Sequence, residues 1–226
     1  MDASRVLEPA WLSTDAVVER IDLGRGSWVD VVRGLVPRAD DVFDDLLGSV
    51  PWKGSRVFRY ERWIDEPRMG GWQAGAERHP ALAEAGSWIE QRYRIGFDGV
   101  ALAQYRHGAD SVGFHRDREM RWLEDTVIGV LTFGARRPFL LRPIGERRSA
   151  HDDDMVADAG ATFDLAPAGG DLIVMGGRCQ ADWLHAVPKV HDVVGGPRIS
   201  AQYRWTSRKG RPDIQPGFRA PRFYSR

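Results

Sequence analysis

The spacing of apolar residues changes near residue 100. Before it, they recur at helical intervals: Val42, Phe43, Leu46, Leu47 and Val50 share one face of a helix starting at Asp40. Gly48 and Pro51 punctuate its end. Leu82, Ala85, Ile89 and Tyr93 form the stripe of a second helix over residues 80–94. Thr14-Asp15 is a candidate cap for a short helix running through Ile21. Between these, residues 56–63 have strand composition and are expected to form a hairpin arm. After residue 100 the pattern becomes short β runs, over 100–106, 127–133, 138–143, 162–165, 171–175 and 199–205. Gly108, Gly134, Gly169-Gly170, Gly176-Gly177 and Gly195-Gly196 break them apart. Many short strands without intervening helices predict a sandwich or barrel of jelly-roll type. Helices first and strands second give an α+β arrangement packed as one unit.

At 226 residues the chain suits one domain, and an apolar fraction of 42% with nine tryptophans describes a folded globule. No apolar run approaches the roughly 20 residues that span a bilayer, and the start, Met1-Asp2-Ala3-Ser4-Arg5, lacks the regions of a signal peptide. Cys179 is the single cysteine, which excludes an internal disulfide and points to a reducing, cytoplasmic setting. The formal charge of +0 argues against a uniformly basic nucleic-acid binder. Charge is unevenly placed, however. Residues 1–50 hold ten Asp/Glu against five Arg, a net of −5, and residues 198–226 hold eight Lys/Arg against Asp213, a net of +7. The basic C-terminal tail is either a phosphate-tracking segment or a solubilising terminus.

The chemistry is carried by His115-Arg116-Asp117 and by His185. On extended backbone His115 and Asp117 point to the same side. Two imidazoles and one carboxylate are the set that holds non-haem Fe(II) by one face, leaving positions open for a co-substrate and oxygen. His191, His151, His107 and His79 are rivals for the third position, and His191 is the strongest of them. Cys179, the nearest soft ligand, reads as a packing residue. Downstream, Arg198 and Arg204 supply what a dicarboxylate co-substrate requires, because a planar guanidinium donates two parallel hydrogen bonds to a carboxylate.

These segments resemble the AlkB family of Fe(II)- and 2-oxoglutarate-dependent dioxygenases. Ala103-Gln104-Tyr105-Arg106-His107-Gly108…His115-Arg116-Asp117 is similar to the family's Asn-x-Tyr-x-x-Gly…His-x-Asp segment. Residues 127–134 resemble its following strand, residues 170–175 precede the third ligand, and Arg198-Ile199-Ser200-Ala201-Gln202-Tyr203-Arg204 looks like its Arg-x5-Arg signature. The resemblance covers residues 100–207. It implies a double-stranded β-helix core over residues 97–207, preceded over 1–96 by N-terminal helices with a nucleotide-recognition region, and followed by the basic tail 208–226. By position, His115, Asp117 and His185 would bind Fe(II), with Tyr105, Arg198, Ser200, Gln202 and Arg204 on 2-oxoglutarate. Residues 198, 200, 202 and 204 share one face of their strand.

The implied reaction couples oxidative decarboxylation of 2-oxoglutarate by O2, giving succinate and CO2, to hydroxylation of an N-alkyl carbon. The resulting hemiaminal collapses to formaldehyde and the restored base. The implied substrate is alkylated DNA or RNA, of the 1-methyladenine and 3-methylcytosine type, with no membrane and no obligate protein partner. Pro67-Arg68 fits a pair found in members acting on duplex nucleic acid, and Tyr60 falls near their apolar wedge, between Arg59 and Arg62. Trp72 and Trp122 are candidates for stacking on a flipped base. The chain departs from the pattern twice. Ala103 replaces the family's Asn, removing a polar contact to the co-substrate. Arg118 replaces an acidic residue that engages the base edge, although Glu119 follows it. Two further readings stand beside this one: the same mechanism acting on a protein side chain or small metabolite, and a β-sandwich binding module with incidental metal residues.

Overall fold

Alternation along four central strands decides how the protein is layered. The structure, a computed structural model, describes residues 10–59, 61–117, 120, 122–145, 162–191, 196–207 and 222–224. The central strands are β5 (Val100–Tyr105), β7 (Thr126–Gly134), β10 (Leu172–Gly177) and β12 (Arg198–Thr206). They are joined at one edge by β1 (Val18–Gly24) and β2 (Ser27–Val32). At the other edge stand β3 (Lys53–Arg59), β4 (Arg62–Gln73) and β13 (Arg222–Tyr224). The result is a nine-stranded antiparallel sheet ordered β1-β2-β10-β7-β12-β5-β4-β3-β13.

One set of alternate residues, including Leu131, Phe133, Val174, Ile199 and Tyr203, is buried in a core closed by α1 (Ala39–Ser49) and α2 (Pro80–Tyr93). The other set, including Ala103, Tyr105, Val130, Ile173 and Met175, faces a second core. That core is closed by a four-stranded antiparallel sheet ordered β6-β11-β8-β9. Its strands are β6 (Val112–His115), β8 (Leu140–Pro143), β9 (Phe163–Asp164) and β11 (Trp183–Val187). From β5 to β12 the chain divides evenly between the sheets, which is the jelly-roll architecture expected from the strand spacing. A four-residue helix, α3 (Cys179–Asp182), links β10 to β11.

The helices begin and end for identifiable reasons. Asp40 and Asp41 place negative charge in the first turn of α1, where the macrodipole favours it, and Val42 and Leu46 are fully buried beneath. Leu47 is the exception to the expected stripe, at 40% exposed. Pro80 opens α2, His79 Nδ1 accepts from the Ala81 amide at 3.2 Å, and Arg94 in the left-handed region (φ 56°) ends it. Tyr203 ties sheet to helix by donating its hydroxyl hydrogen to the Leu82 carbonyl at 2.8 Å.

The helix expected between Thr14 and Ile21 is not formed, because residues 18–24 are a strand. A turn at Gly24-Arg25-Gly26, all three with positive φ, folds it onto β2 as a hairpin. Arg20 then clamps the fully buried Asp30 through two bonds of 2.6 and 2.7 Å. A short isolated helix has no comparable partner, so pairing decides. The expected arm at residues 56–63 is the β3–β4 hairpin, whose strands continue the main sheet. Within the expected tail, residues 222–224 pair with β3 as an edge strand. Among the described residues no helix is long and apolar enough to cross a membrane.

Candidate metal centre and co-substrate pocket

β6 and β11 lie side by side in the smaller sheet with His115 directly opposite His185. Their rings are 4.3 Å apart at 50°. Asp117 follows just past the end of β6, its carbonyl accepting from the Met120 amide at 3.2 Å in a turn. One ligand atom from each of His115, Asp117 and His185 lies within 4.8 Å of the others, so the three could hold a metal ion. His115 Nδ1 is 2.9 Å from the Gly113 carbonyl, which can only accept. The ring proton is therefore on Nδ1, and the Nε2 lone pair faces Asp117 Oδ1 at 3.7 Å.

The local field keeps all three in the state a metal requires. Burial pushes His185 down to about 3, with His115 adding to the effect. Burial also lowers His115, helped by the nearby Arg68 and Arg204. For Asp117 burial alone would raise the carboxyl, but Arg204 and the two histidines overcome it and hold it well below the usual range.

Arg198, Ser200, Gln202 and Arg204 share the face of β12 toward this centre, while Ile199, Ala201 and Tyr203 enter the helix-side core. Arg204 Nε donates to Asp117 Oδ2 at 2.6 Å, and its Nη2 donates to Gln202 Oε1. Arg198 lies deeper, fully buried. Its guanidinium is 6.0 Å from the Tyr105 ring, and Nη1 makes one long contact of 3.4 Å to the Arg137 carbonyl. Nε and Nη2 have no hydrogen-bond partner among the described residues. Burial pulls its pKa down to about 10. Burying an unpaired cation is costly, so a residue in this state fits an incoming carboxylate. The donor set thus fits Fe(II) beside a small dianion.

The cluster opens into a solvent-connected pocket lined by Tyr105, His115, Asp117, His185, Ser200, Gln202 and Arg204. Val130, Phe139 and Val187 supply apolar wall, and Arg68 contributes from β4. Arg68 sits 3.4 Å from Glu66 Oε1. Ala103, where the sequence departs from the family's Asn, pairs with Ser200 on the same sheet and belongs to the core on the site side.

The remaining expected residues are distributed as follows. His191 is exposed, His107 sits 3.8 Å from Asp110, and His79 caps α2. None of them joins the cluster. Burial pushes the Cys179 thiol up to about 12, as suits a packing residue. Trp72 is 56% exposed, whereas Trp122 accepts at its carbonyl from Thr206 Oγ1 at 2.7 Å. Tyr60, Arg118, Glu119 and His151 lie outside the described residues.

Arg137 and Gln180 carry no expectation from the sequence, and Gly108, expected as a break and as part of the family segment, has a packing role at the site. Arg137, 1% exposed, donates to the carbonyls of His107, Gly108, Asp110 and Pro188 at 3.1, 3.4, 2.7 and 3.2 Å. It thereby ties the segment before β6 to the end of β11, the two strands that carry the histidines. Gly108 lets those segments touch: a Cβ there would collide with the Val190 carbonyl. Gln180, fully buried on α3, accepts the Asp117 amide at 3.0 Å.

Residues 96–204 match the 2OG-Fe(II) oxygenase superfamily. The chain is 30% identical over 189 residues to the human DNA oxidative demethylase ALKBH2, covering 74% of this chain and 68% of that protein. It is 30% identical over 179 residues to the alpha-ketoglutarate-dependent dioxygenase alkB homolog 3 of Bos taurus, covering 74% of this chain but only 61% of that protein's length. Among solved structures, OsALKBH1 is similar at a TM-score of 0.51 and 12% identity, over 83% of this chain and 100% of that one. A Trichoplax adhaerens prolyl hydroxylase in complex with a hypoxia inducible factor peptide reaches 0.53 at 12% identity, over 77% and 82%. At such identities the two structures attest the fold.

Proposed function

We propose that this chain, which belongs to the AlkB family of Fe(II)- and 2-oxoglutarate-dependent dioxygenases, oxidatively removes alkyl groups from the bases of DNA or RNA. The observation that carries the reading is the His115–Asp117–His185 cluster in a pocket also lined by Tyr105, Ser200, Gln202 and Arg204, with the buried guanidinium of Arg198, two of its nitrogens unpartnered among the described residues, on the same face of β12. In this reading the cluster holds Fe(II), and Arg198 takes the far carboxylate of 2-oxoglutarate with Tyr105 beside it. Ser200 and Gln202 meet the co-substrate from the same strand. Arg204 serves both partners, fixing Asp117 through its Nε while its charge faces the near carboxylate.

When bound, Fe(II) with 2-oxoglutarate and O2 supplies the oxidation that hydroxylates the N-alkyl carbon. One oxygen atom leaves in succinate and the other in formaldehyde, with CO2 released and the base regaining N–H. The chain's own residues orient the bound groups. Val130, Phe139 and Val187 line the site with apolar surface, which lowers the local dielectric and strengthens the charge contacts beside them.

In this reading Arg68, which lines the pocket, meets the nucleic acid, and the exposed Trp72 offers a face on which a base can stack. If the substrate is a duplex, the base must first leave its stack. The N-terminal segment through residue 96 serves as the recognition region and residues 97–207 as the catalytic core. A single buried thiol fits a reducing cytoplasm. The test is a panel of single- and double-stranded DNA and RNA oligonucleotides carrying 1-methyladenine or 3-methylcytosine, scored for formaldehyde and succinate. Equimolar release of both, lost in His115→Ala, is the expected result. Turnover of 2-oxoglutarate with small molecules, and none on any oligonucleotide, would move the substrate to a metabolite.

A further inference from the structure

Asp117 is the one member of the cluster that no strand holds. The β6–β11 ladder reaches His115 opposite His185 and then stops. Beyond it the Asp117 amide has no ladder partner and is satisfied by a side chain, the Oε1 of Gln180 at 3.0 Å. Gln180 comes from a distant stretch of chain, on the four-residue helix that leads directly into β11. One short segment therefore touches two of the three ligands. Its backbone runs on to His185, and its side chain grips the backbone of Asp117.

The Gln180 side chain is unusual in its polar partners. Gln180 is fully buried, yet its Nε2 has no hydrogen-bond partner among the described residues. A buried amide that is half satisfied contributes little net stability. A methionine would fill the same space, removing the unpaired Nε2 while leaving the Asp117 N–H unpaired in its place. The two costs are of the same kind, so stability alone does not select glutamine. What glutamine adds is a fixed position for the Asp117 backbone, and through it for a carboxylate 2.6 Å from Arg204 Nε and 3.7 Å from His115 Nε2.

We infer that Gln180 is a positioning residue for the metal centre, holding Asp117 where it can serve the metal and Arg204 together. The inference rests on the assignment of His115, Asp117 and His185 as the metal ligands. Outer contacts of this kind, when removed, cost roughly 10–100-fold in metal affinity.

The test uses the full chain and Mn(II) as the probe, measured by calorimetry alongside the melting temperature of the metal-free protein. Gln180→Met is expected to bind Mn(II) roughly 10–100-fold more weakly, with a melting temperature within about 4 °C of the parent. Gln180→Glu restores an acceptor oxygen to the Asp117 amide and recovers most of the affinity. Unchanged Mn(II) affinity in Gln180→Met overturns the inference, as does a Gln180→Glu variant that is folded but binds as weakly as Gln180→Met. A large drop in melting temperature with unchanged affinity reduces Gln180 to a packing residue. The Asp117→Ala variant separates the two levels. If the parent's Mn(II) binding survives Asp117→Ala, the ligand assignment itself fails. If it is abolished there but untouched by Gln180→Met, only the positioning role fails.

Discussion

Two arginines are almost completely buried among the described residues, Arg137 at 1% and Arg198 at 0% exposure, and they should respond to the same substitution in opposite ways. Arg137 donates to four carbonyl oxygens and leaves only Nε unpartnered among the described residues, whereas Arg198 leaves Nε and Nη2 unpartnered and makes a single long contact. Replacing Arg198 with methionine removes a poorly compensated buried charge. In the absence of co-substrate this should be neutral or stabilising by about 1–4 kcal/mol. The same change removes the carboxylate's partner. Losing about 2.8 kcal/mol of charge-assisted hydrogen bonding weakens 2-oxoglutarate roughly 100-fold. At a concentration 100 times the parent's Kd, the co-substrate stabilises the parent by about 2.7 kcal/mol; at 100-fold weaker affinity the increment falls to about 0.4 kcal/mol. For a chain of this size those increments move the melting temperature by about 5–10 °C and about 1–2 °C. The assay is thermal unfolding with Mn(II) present throughout and 2-oxoglutarate added or withheld. Arg137→Met is the internal control, expected to lose about 3 kcal/mol because several carbonyls are left without a donor. Strong destabilisation of Arg198→Met without co-substrate, or a 2-oxoglutarate shift equal to the parent's, would contradict a co-substrate role for Arg198.

Three further outcomes are expected. Asp110 is buried and accepts from the Arg106 amide at 2.9 Å, from Nε at 2.7 Å and from Nη2 at 2.9 Å. Burial would raise its carboxyl, but Arg106 overcomes this and holds it below the ordinary value of 3.8. A depressed carboxylate stabilises above its unfolded value and loses that contribution as pH falls through the folded one. Asp110→Ala should therefore cost about 2 kcal/mol at pH 7 by chemical denaturation, with the gap to the parent narrowing below pH 4; a constant gap would contradict this. Trp72→Ala should leave the fold nearly unaffected, since the side chain is 56% exposed, yet raise the KM for a methylated oligonucleotide roughly 10–100-fold through a lost stacking contact of about 1–3 kcal/mol. An unchanged KM removes Trp72 from the substrate face. Chelation with EDTA should lower the melting temperature of the metal-loaded parent and not that of His115→Ala, whose cluster has lost a ligand.

What could be read from the sequence follows from the range over which each signal acts. The alternation 198, 200, 202, 204 is local and survives folding intact, because a strand of nine residues cannot turn one residue over without turning its neighbours. The His-x-Asp spacing is equally local, and His185 lies directly opposite His115 in the β6–β11 ladder. The stretch before β2 departs from the expected helix because a cap-like Thr14-Asp15 is weak beside a hairpin whose partner strand lies past the Gly24-Arg25-Gly26 turn. Arg137 and Gln180 carry no local signal at all. Arg137 serves carbonyls 27 to 51 residues away, and Gln180 serves an amide 63 residues away. Nothing near either residue records what it will bond. Gln180 satisfies the Asp117 amide just past the end of β6, where the metal cluster forms, and Arg137 satisfies carbonyls at the opposite end of the β6–β11 ladder. A metal centre opened on one side needs its ligand-bearing strands to end early, so their last polar groups fall to side chains brought in from elsewhere. The candidate ligands are legible because chemistry restricts their type, and their supports are not, because any donor or acceptor of suitable reach would serve.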